Sequence, residues 1–226
     1  MEFFAALALF LVSHVIPSRP ALRLRLATPL GERTYQLLYS ILSLVLLAWL
    51  ISAATRAPYV PLWDLTIGQY WVPIVVMLPA FILFAGGAIA PNPLSISFSR
   101  RPFDPGRAGI VTVTRHPVLW GFALWAFAHV VPNGDLVSLI MFGGFGLFAL
   151  AGMAMIDRRK MRQMGEEWET LARRTSALPF APAAGRRLPW DWRGLAAAVA
   201  LGFSLYMALL HLHPMLFGPD PRAVFA

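Results

Sequence analysis

Residues 114–133, TRHPVLWGFALWAFAHVVPN, decide how this chain is to be read: one apolar helix with a histidine near each end. Pro117 after Arg115-His116 marks the first helical turn, because its missing N–H is one the helix leaves unpaired anyway. The Val131-Pro132-Asn133-Gly134 turn closes the other end. Ionisable side chains are costly in hydrocarbon, so a histidine in such a helix is a candidate functional residue. His116 and His129 are thirteen residues apart, roughly 20 Å along a helix axis. At about 100° per residue they also face different sides. They are therefore not partners in one small site.

The rest of the chain has the same apolar character. Hydrophobic residues make up 58% and charged residues 13%, with a mean hydropathy of +0.63. Long runs of Leu, Ala, Phe and Trp with almost no charge indicate membrane spans. Six are expected, over residues 2–16, 35–54, 70–90, 117–131, 136–156 and 194–211. The first and fourth are short for a hydrocarbon core of about 30 Å.

The basic residues test this segmentation independently. Arg19, Arg23, Arg25 and Arg33 fall between spans one and two, and the next loop has only Arg56. Arg100, Arg101, Arg107 and Arg115 lie between spans three and four, and the following turn has none. Residues from Arg158 to Arg193 supply nine more, and the tail only Arg222. Every second loop is basic, as the positive-inside rule requires. The fold class is all-α: a polytopic helix bundle with both termini on the non-cytoplasmic side, here of a bacterial inner membrane. Residues 1–182 form the main membrane domain, and 183–226 supply a linker, the last span and a tail.

The net charge of +8 is dispersed over membrane-edge loops, which matches anionic lipid rather than nucleic acid. The N-terminal segment has Glu2 as its only charge, so it reads as a retained span rather than a signal peptide. Cysteine is absent, which removes disulfides, thiolate ligands and cysteine nucleophiles. Gly86, Gly87, Gly143, Gly144, Gly146 and Gly152 offer places for close helix approach. Residues 157–175 read as a helix continuing span five into water, with Met161, Met164, Trp168 and Leu171 as an apolar stripe.

The spacing of ionisable groups narrows the chemistry. No His-x-x-x-His or Glu-x-x-His pair shares a helix face, so di-iron and zincin-like patterns are missing. Ser13 adjoins His14, yet no Gly-x-Ser-x-Gly elbow occurs. Neither a dinucleotide fingerprint nor a phosphate loop is present. Single histidines on separate helices, His14 and His129 among them, are compatible with haem, whose iron takes axial imidazoles from two sides. His211 and His213 read as interfacial polar residues.

Several motifs together resemble the NnrU family of bacterial membrane proteins, which is related to the plant 15-cis-zeta-carotene isomerase. They are Ser13-His14 with Pro17-Ser18-Arg19-Pro20, Arg33-x-Tyr35, Thr114-Arg115-His116-Pro117 with Gly121, and Trp125-x-x-Ala128-His129. Asp157-Arg158-Arg159, Gly165-Glu166, Arg174-Thr175-Ser176 and Pro179-Phe180 continue the pattern. The resemblance covers about residues 2 to 182. It implies haem b with His14 and His129 as axial ligands, and a cytoplasmic rim that includes Arg115, His116 and Arg158. The isomerase carries a cysteine three residues before its second haem histidine; here that position is Ala126, so a thiolate ligand exchange is excluded. The topology sets His14 near the inner face and His129 roughly 15 Å higher. Two axial imidazoles face each other across two bonds of roughly 2 Å, so His116 stands as the alternative partner for His14.

The leading expectation is thus a haem b protein with a redox or nitric-oxide-linked role in nitrogen-oxide metabolism. A gas or a hydrophobic polyene would be its ligand and the bilayer its partner. Isomerisation of a carotenoid-like polyene is the enzymatic alternative. Arg115-His116-Pro117 with Gly121, followed by Glu166 and Glu167, also resembles the isoprenylcysteine carboxyl methyltransferases over residues 100 to 180. That likeness implies S-adenosylmethionine bound by Arg115, His116 and one of the two glutamates.

Overall fold

The computed structural model describes residues 1–15 and 20–225. Ile16 of the first expected span and Pro17, Ser18 and Arg19 of the first motif lie outside them. The helices are α1 (Glu2–Val15), α2 (Pro20–Leu30), α3 (Glu32–Thr55), α4 (Trp71–Ile89), α5 (Pro117–Val130), α6 (Leu136–Met164), α7 (Glu166–Ala172) and α8 (Trp192–Phe217). Short 3-10 turns cover Ile67–Tyr70, Gly109–Thr112 and Pro221–Phe225. Among the described residues there is no strand, only an isolated bridge between Pro61 and Asp135.

Four helical stretches are long and apolar enough to cross a membrane: Glu32–Thr55, Ile67–Ile89, Leu136–Met164 and Trp192–Phe217. Two shorter apolar helices, Glu2–His14 and Pro117–Val130, fill the places of the expected first and fourth spans. At 14 residues, Pro117–Val130 is roughly 21 Å long, less than a hydrocarbon core. Large apolar side chains are exposed on these helices, including Leu37, Leu38, Ile41, Leu44, Val45, Val75, Leu147 and Phe203. A helix with apolar residues on its outer as well as its inner face is built for lipid, not water. This is a membrane helical protein.

The chain forms two compact units. In the first, residues 1–62 with 135–137, α1 and α2 both lie against α3. Phe3, Ala6 and Leu7 on α1, and Tyr35, Leu46, Leu50 and Ala53 on α3, are among its buried residues. Glu2 joins the two helices from the far end, pairing with Arg56 at 2.5 Å and accepting from the Trp49 indole at 3.0 Å. α2 corrects the expectation of a plain basic loop between spans one and two.

In the second unit, residues 63–134 and 138–226, α4 lies against both α5 and α8. Glycines set the approach. A Cβ on Gly87 would stand 2.8 Å from Pro117 Cγ and 2.9 Å from Val118 N; one on Gly202 would stand 2.5 Å from Ile82 Cα. Gly144, by contrast, has nothing within 4 Å of that position, so the glycine-rich run in α6 is only partly a packing face. The single helix expected over 157–175 is broken. Gly165 has φ +56°, a left-handed turn that an L side chain resists. α6 therefore ends at Met164, and α7 starts at Glu166.

Candidate functional site

α5 starts at a buried polar cluster in the second unit. His116 is its N-cap residue and Pro117 its first helical residue. The loop before it is held by main-chain bonds that leave little freedom. Arg115 N donates to the Ser176 carbonyl at 2.8 Å, and Asn92 Nδ2 donates to the Arg115 carbonyl at 2.9 Å. Thr114 Oγ1 and Trp120 Nε1 both donate to the Ala177 carbonyl, at 2.8 and 2.7 Å. Three remote segments, 91–95, 114–120 and 176–177, are thereby fixed to one another.

Asp157 on α6 completes the cluster. Arg115 donates to it from Nε to both oxygens at 3.1 Å and from Nη2 to Oδ2 at 2.6 Å. The side chains are only 15% and 17% exposed. A forked guanidinium–carboxylate pair so shielded is a strong, directional contact. The Arg115 guanidinium also lies 6.0 Å from the centre of the Trp168 ring on α7, within cation–π range.

His116 is 0% exposed. Its Nδ1 is 2.8 Å from Ser95 Oγ and its Nε2 3.0 Å from Asp157 Oδ1. An ionised carboxylate only accepts, so a neutral ring keeps its proton on Nε2 and accepts the Ser95 hydroxyl proton at Nδ1. The Nε2 contact is close but not aligned as a hydrogen bond, and among the described residues that nitrogen has no hydrogen-bond partner. Ser95, His116 and Asp157 stand in hydrolase order, with the two ring nitrogens exchanged relative to the usual triad. Ser95 is only 8% exposed. The cluster is a lock that seats α5 against α6 and the loops.

His129 is in the last turn of α5, at the other end from His116. Its Nδ1 donates to the Trp125 carbonyl at 2.7 Å, because a carbonyl only accepts. The lone pair of the neutral ring is therefore on Nε2. The Trp125 and Phe142 rings lie 5.5 and 5.4 Å from the imidazole, and 5.5 Å from each other. His14, in the first unit, has the same tautomer: Nδ1 donates to the Phe10 carbonyl at 2.7 Å. Its ring neighbours are Phe10 at 4.2 Å and Tyr39 at 5.9 Å. A backbone carbonyl on Nδ1 is the usual outer support of a histidine that ligates through Nε2. The bond alone is not diagnostic, since exposed His211 makes it to Met207. Among the described residues, no three His, Asp or Glu side chains gather as a metal cluster.

The remaining expected site residue, Arg158, is exposed, while its neighbour Asp157 turns inward. Ser95, Asn92 and Trp168 are the cluster members that sequence reasoning did not single out as site residues. Nothing in the loop 91–115 marks Ser95 as the histidine's partner, because only the tertiary fold brings it there.

The same residues fall within a match to known proteins. The sequence profile described as NnrU protein matches residues 2–221. The chain belongs to the NnrU protein family. The match spans His14, the Arg115–His116–Asp157 lock and His129 alike. The chain is also similar to the chloroplastic 15-cis-zeta-carotene isomerase of Zea mays, 31% identical over 170 residues, 72% of this chain and 46% of that protein. The one from Arabidopsis thaliana is 34% identical over 122 residues, 50% of this chain and 32% of that protein. The chain thus spans less than half the length of these curated relatives. No solved structure matches it.

Proposed function

We propose that this chain is a membrane-embedded isomerase of a cis double bond in a long apolar polyene. The observation that carries the reading is the 31% identity to a 15-cis-zeta-carotene isomerase over 72% of the chain. The reaction class suits the setting. Isomerisation changes neither formula nor charge, so it needs no phosphate loop and no hydrolytic nucleophile, and a polyene partitions into the bilayer around the helices.

Haem b is the resident group that the family resemblance suggests, with His14 and His129 each a candidate ligand through Nε2. The support is their shared tautomer, which directs the lone pair to Nε2, and the aromatic walls beside each ring. Bound haem would supply a one-electron couple able to loosen a double bond for rotation. The chain's own part is to orient each imidazole through its Nδ1 bond, to shield His129 with Trp125 and Phe142, and to seat α5 through the Asp157 lock. His116 is less suited to an iron, because its ring is fully buried, with Ser95 on Nδ1 and the Asp157 carboxylate 3.0 Å from Nε2. With no cysteine in the chain, neither ligation nor rotation here uses a thiolate.

Six spans, both termini outside, and a bacterial inner membrane are part of this proposal, supported by the alternating basic loops. Membranes carrying the protein should convert 15-cis-zeta-carotene in the dark, read as isomer composition by chromatography. Unchanged composition would overturn the reading. Unchanged composition together with a haem spectrum would point instead to a redox or nitric-oxide role.

A further inference from the structure

The loop leaving α4 folds back over the end of that helix. Phe98 N donates to the Ala88 carbonyl at 3.1 Å, and Ser97 Oγ donates to the Ala90 carbonyl at 2.6 Å. Ser99 N donates in turn to Ser97 Oγ at 3.0 Å. Carbonyls at a helix C-terminus ordinarily repel anions, and these bonds cover two of them. They also fix Phe98, which is 71% exposed, in a place where a purely solvated loop would carry a polar residue.

The product is an open groove of about 570 Å³ lined by Ala88, Ile89, Phe98, Ser99, Arg100 and Arg101. One part of the lining is apolar and exposed: Ile89 and Phe98. The other is cationic: Arg100 and Arg101 are both exposed, and among the described residues neither has a carboxylate within ion-pair distance. The groove sits where a 19-residue apolar helix ends. A free phosphate would use only its cationic part.

We propose that this groove holds one anionic phospholipid of the surrounding bilayer. Its phosphate pairs with Arg100 and Arg101, and an acyl chain lies along Ile89 and Phe98. Guanidinium groups recognise phosphate with two parallel N–H donors, which a single point charge does not provide. A basic residue beside an anionic membrane surface contributes about a fivefold preference, so the pair should give roughly twenty- to thirtyfold.

Native mass spectrometry of the detergent-purified full chain, titrated with an equal mixture of phosphatidylglycerol and phosphatidylcholine, tests this. The expected result is one phosphatidylglycerol retained per chain. Arg100→Gln/Arg101→Gln should lose it by twentyfold or more, and Phe98→Ala by several-fold. Arg162→Gln/Arg186→Gln, which removes two exposed charges elsewhere, should leave retention unchanged. A circular dichroism melt matching the parent shows that each variant is folded. Equal retention of phosphatidylcholine would overturn the proposal. So would unchanged retention in Arg100→Gln/Arg101→Gln, or an equal loss in Arg162→Gln/Arg186→Gln, which would make the effect one of general charge.

Discussion

His116 Nε2 stands 3.0 Å from Asp157 Oδ1, across forty-one positions of sequence and at the junction of α5 with α6. The same carboxylate receives the forked Arg115 guanidinium. One acidic side chain therefore ties the two residues that open α5 to the later part of α6. His129 is carried by the helix whose first turn this contact fixes.

Asp157→Ala should be strongly destabilising. It leaves a shielded arginine uncompensated and a buried histidine without its carboxylate, a loss of about 3 kcal/mol, or roughly 6–12 °C in melting temperature for a chain of this size. Melts in detergent followed by circular dichroism check it. Arg158→Ala, at the exposed neighbour, should change the melt by less than about 0.5 kcal/mol.

The glycines should separate by position. Gly202→Ala places a methyl carbon 2.5 Å from the Ile82 backbone, which cannot rotate away as a side chain would. A cost of about 1–3 kcal/mol follows from overpacking. Gly144→Ala meets nothing within 4 Å and gains up to about 1 kcal/mol of helix propensity. The two melting temperatures, one lowered and one unchanged or raised, are the check.

Much of the fold was legible in the sequence. α3, α4, α6 and α8 follow from long uncharged runs, and the short α1 and α5 from histidine-bearing apolar stretches bounded by proline. α2 was hidden because Arg23, Arg25 and Pro29 interrupt its pattern, and its contact with α3 is a tertiary feature that no local pattern encodes. The break at Gly165 was hidden because one glycine in a charged helix is tolerated as often as it ends one. At the site, Arg115 and His116 stood out by type and spacing. Ser95 did not, since its role depends on a loop bond pattern that no periodicity encodes.

The histidines should divide by spectrum. In oxidised and dithionite-reduced visible spectra after haem-replete expression, His14→Ala and His129→Ala should each lose or shift the Soret band. His116→Ala should keep the band while lowering the melting temperature. An unshifted band in both of the first two variants would refute the ligand pair, whatever the enzyme activity.

The most direct measurement is the isomer ratio of 15-cis-zeta-carotene in liposomes containing the purified full chain, kept in darkness and followed by chromatography. The expected result is a fall in the 15-cis isomer that scales with protein and is abolished by His129→Ala. A ratio indistinguishable from that of protein-free liposomes, with folded protein in the bilayer, would contradict the account.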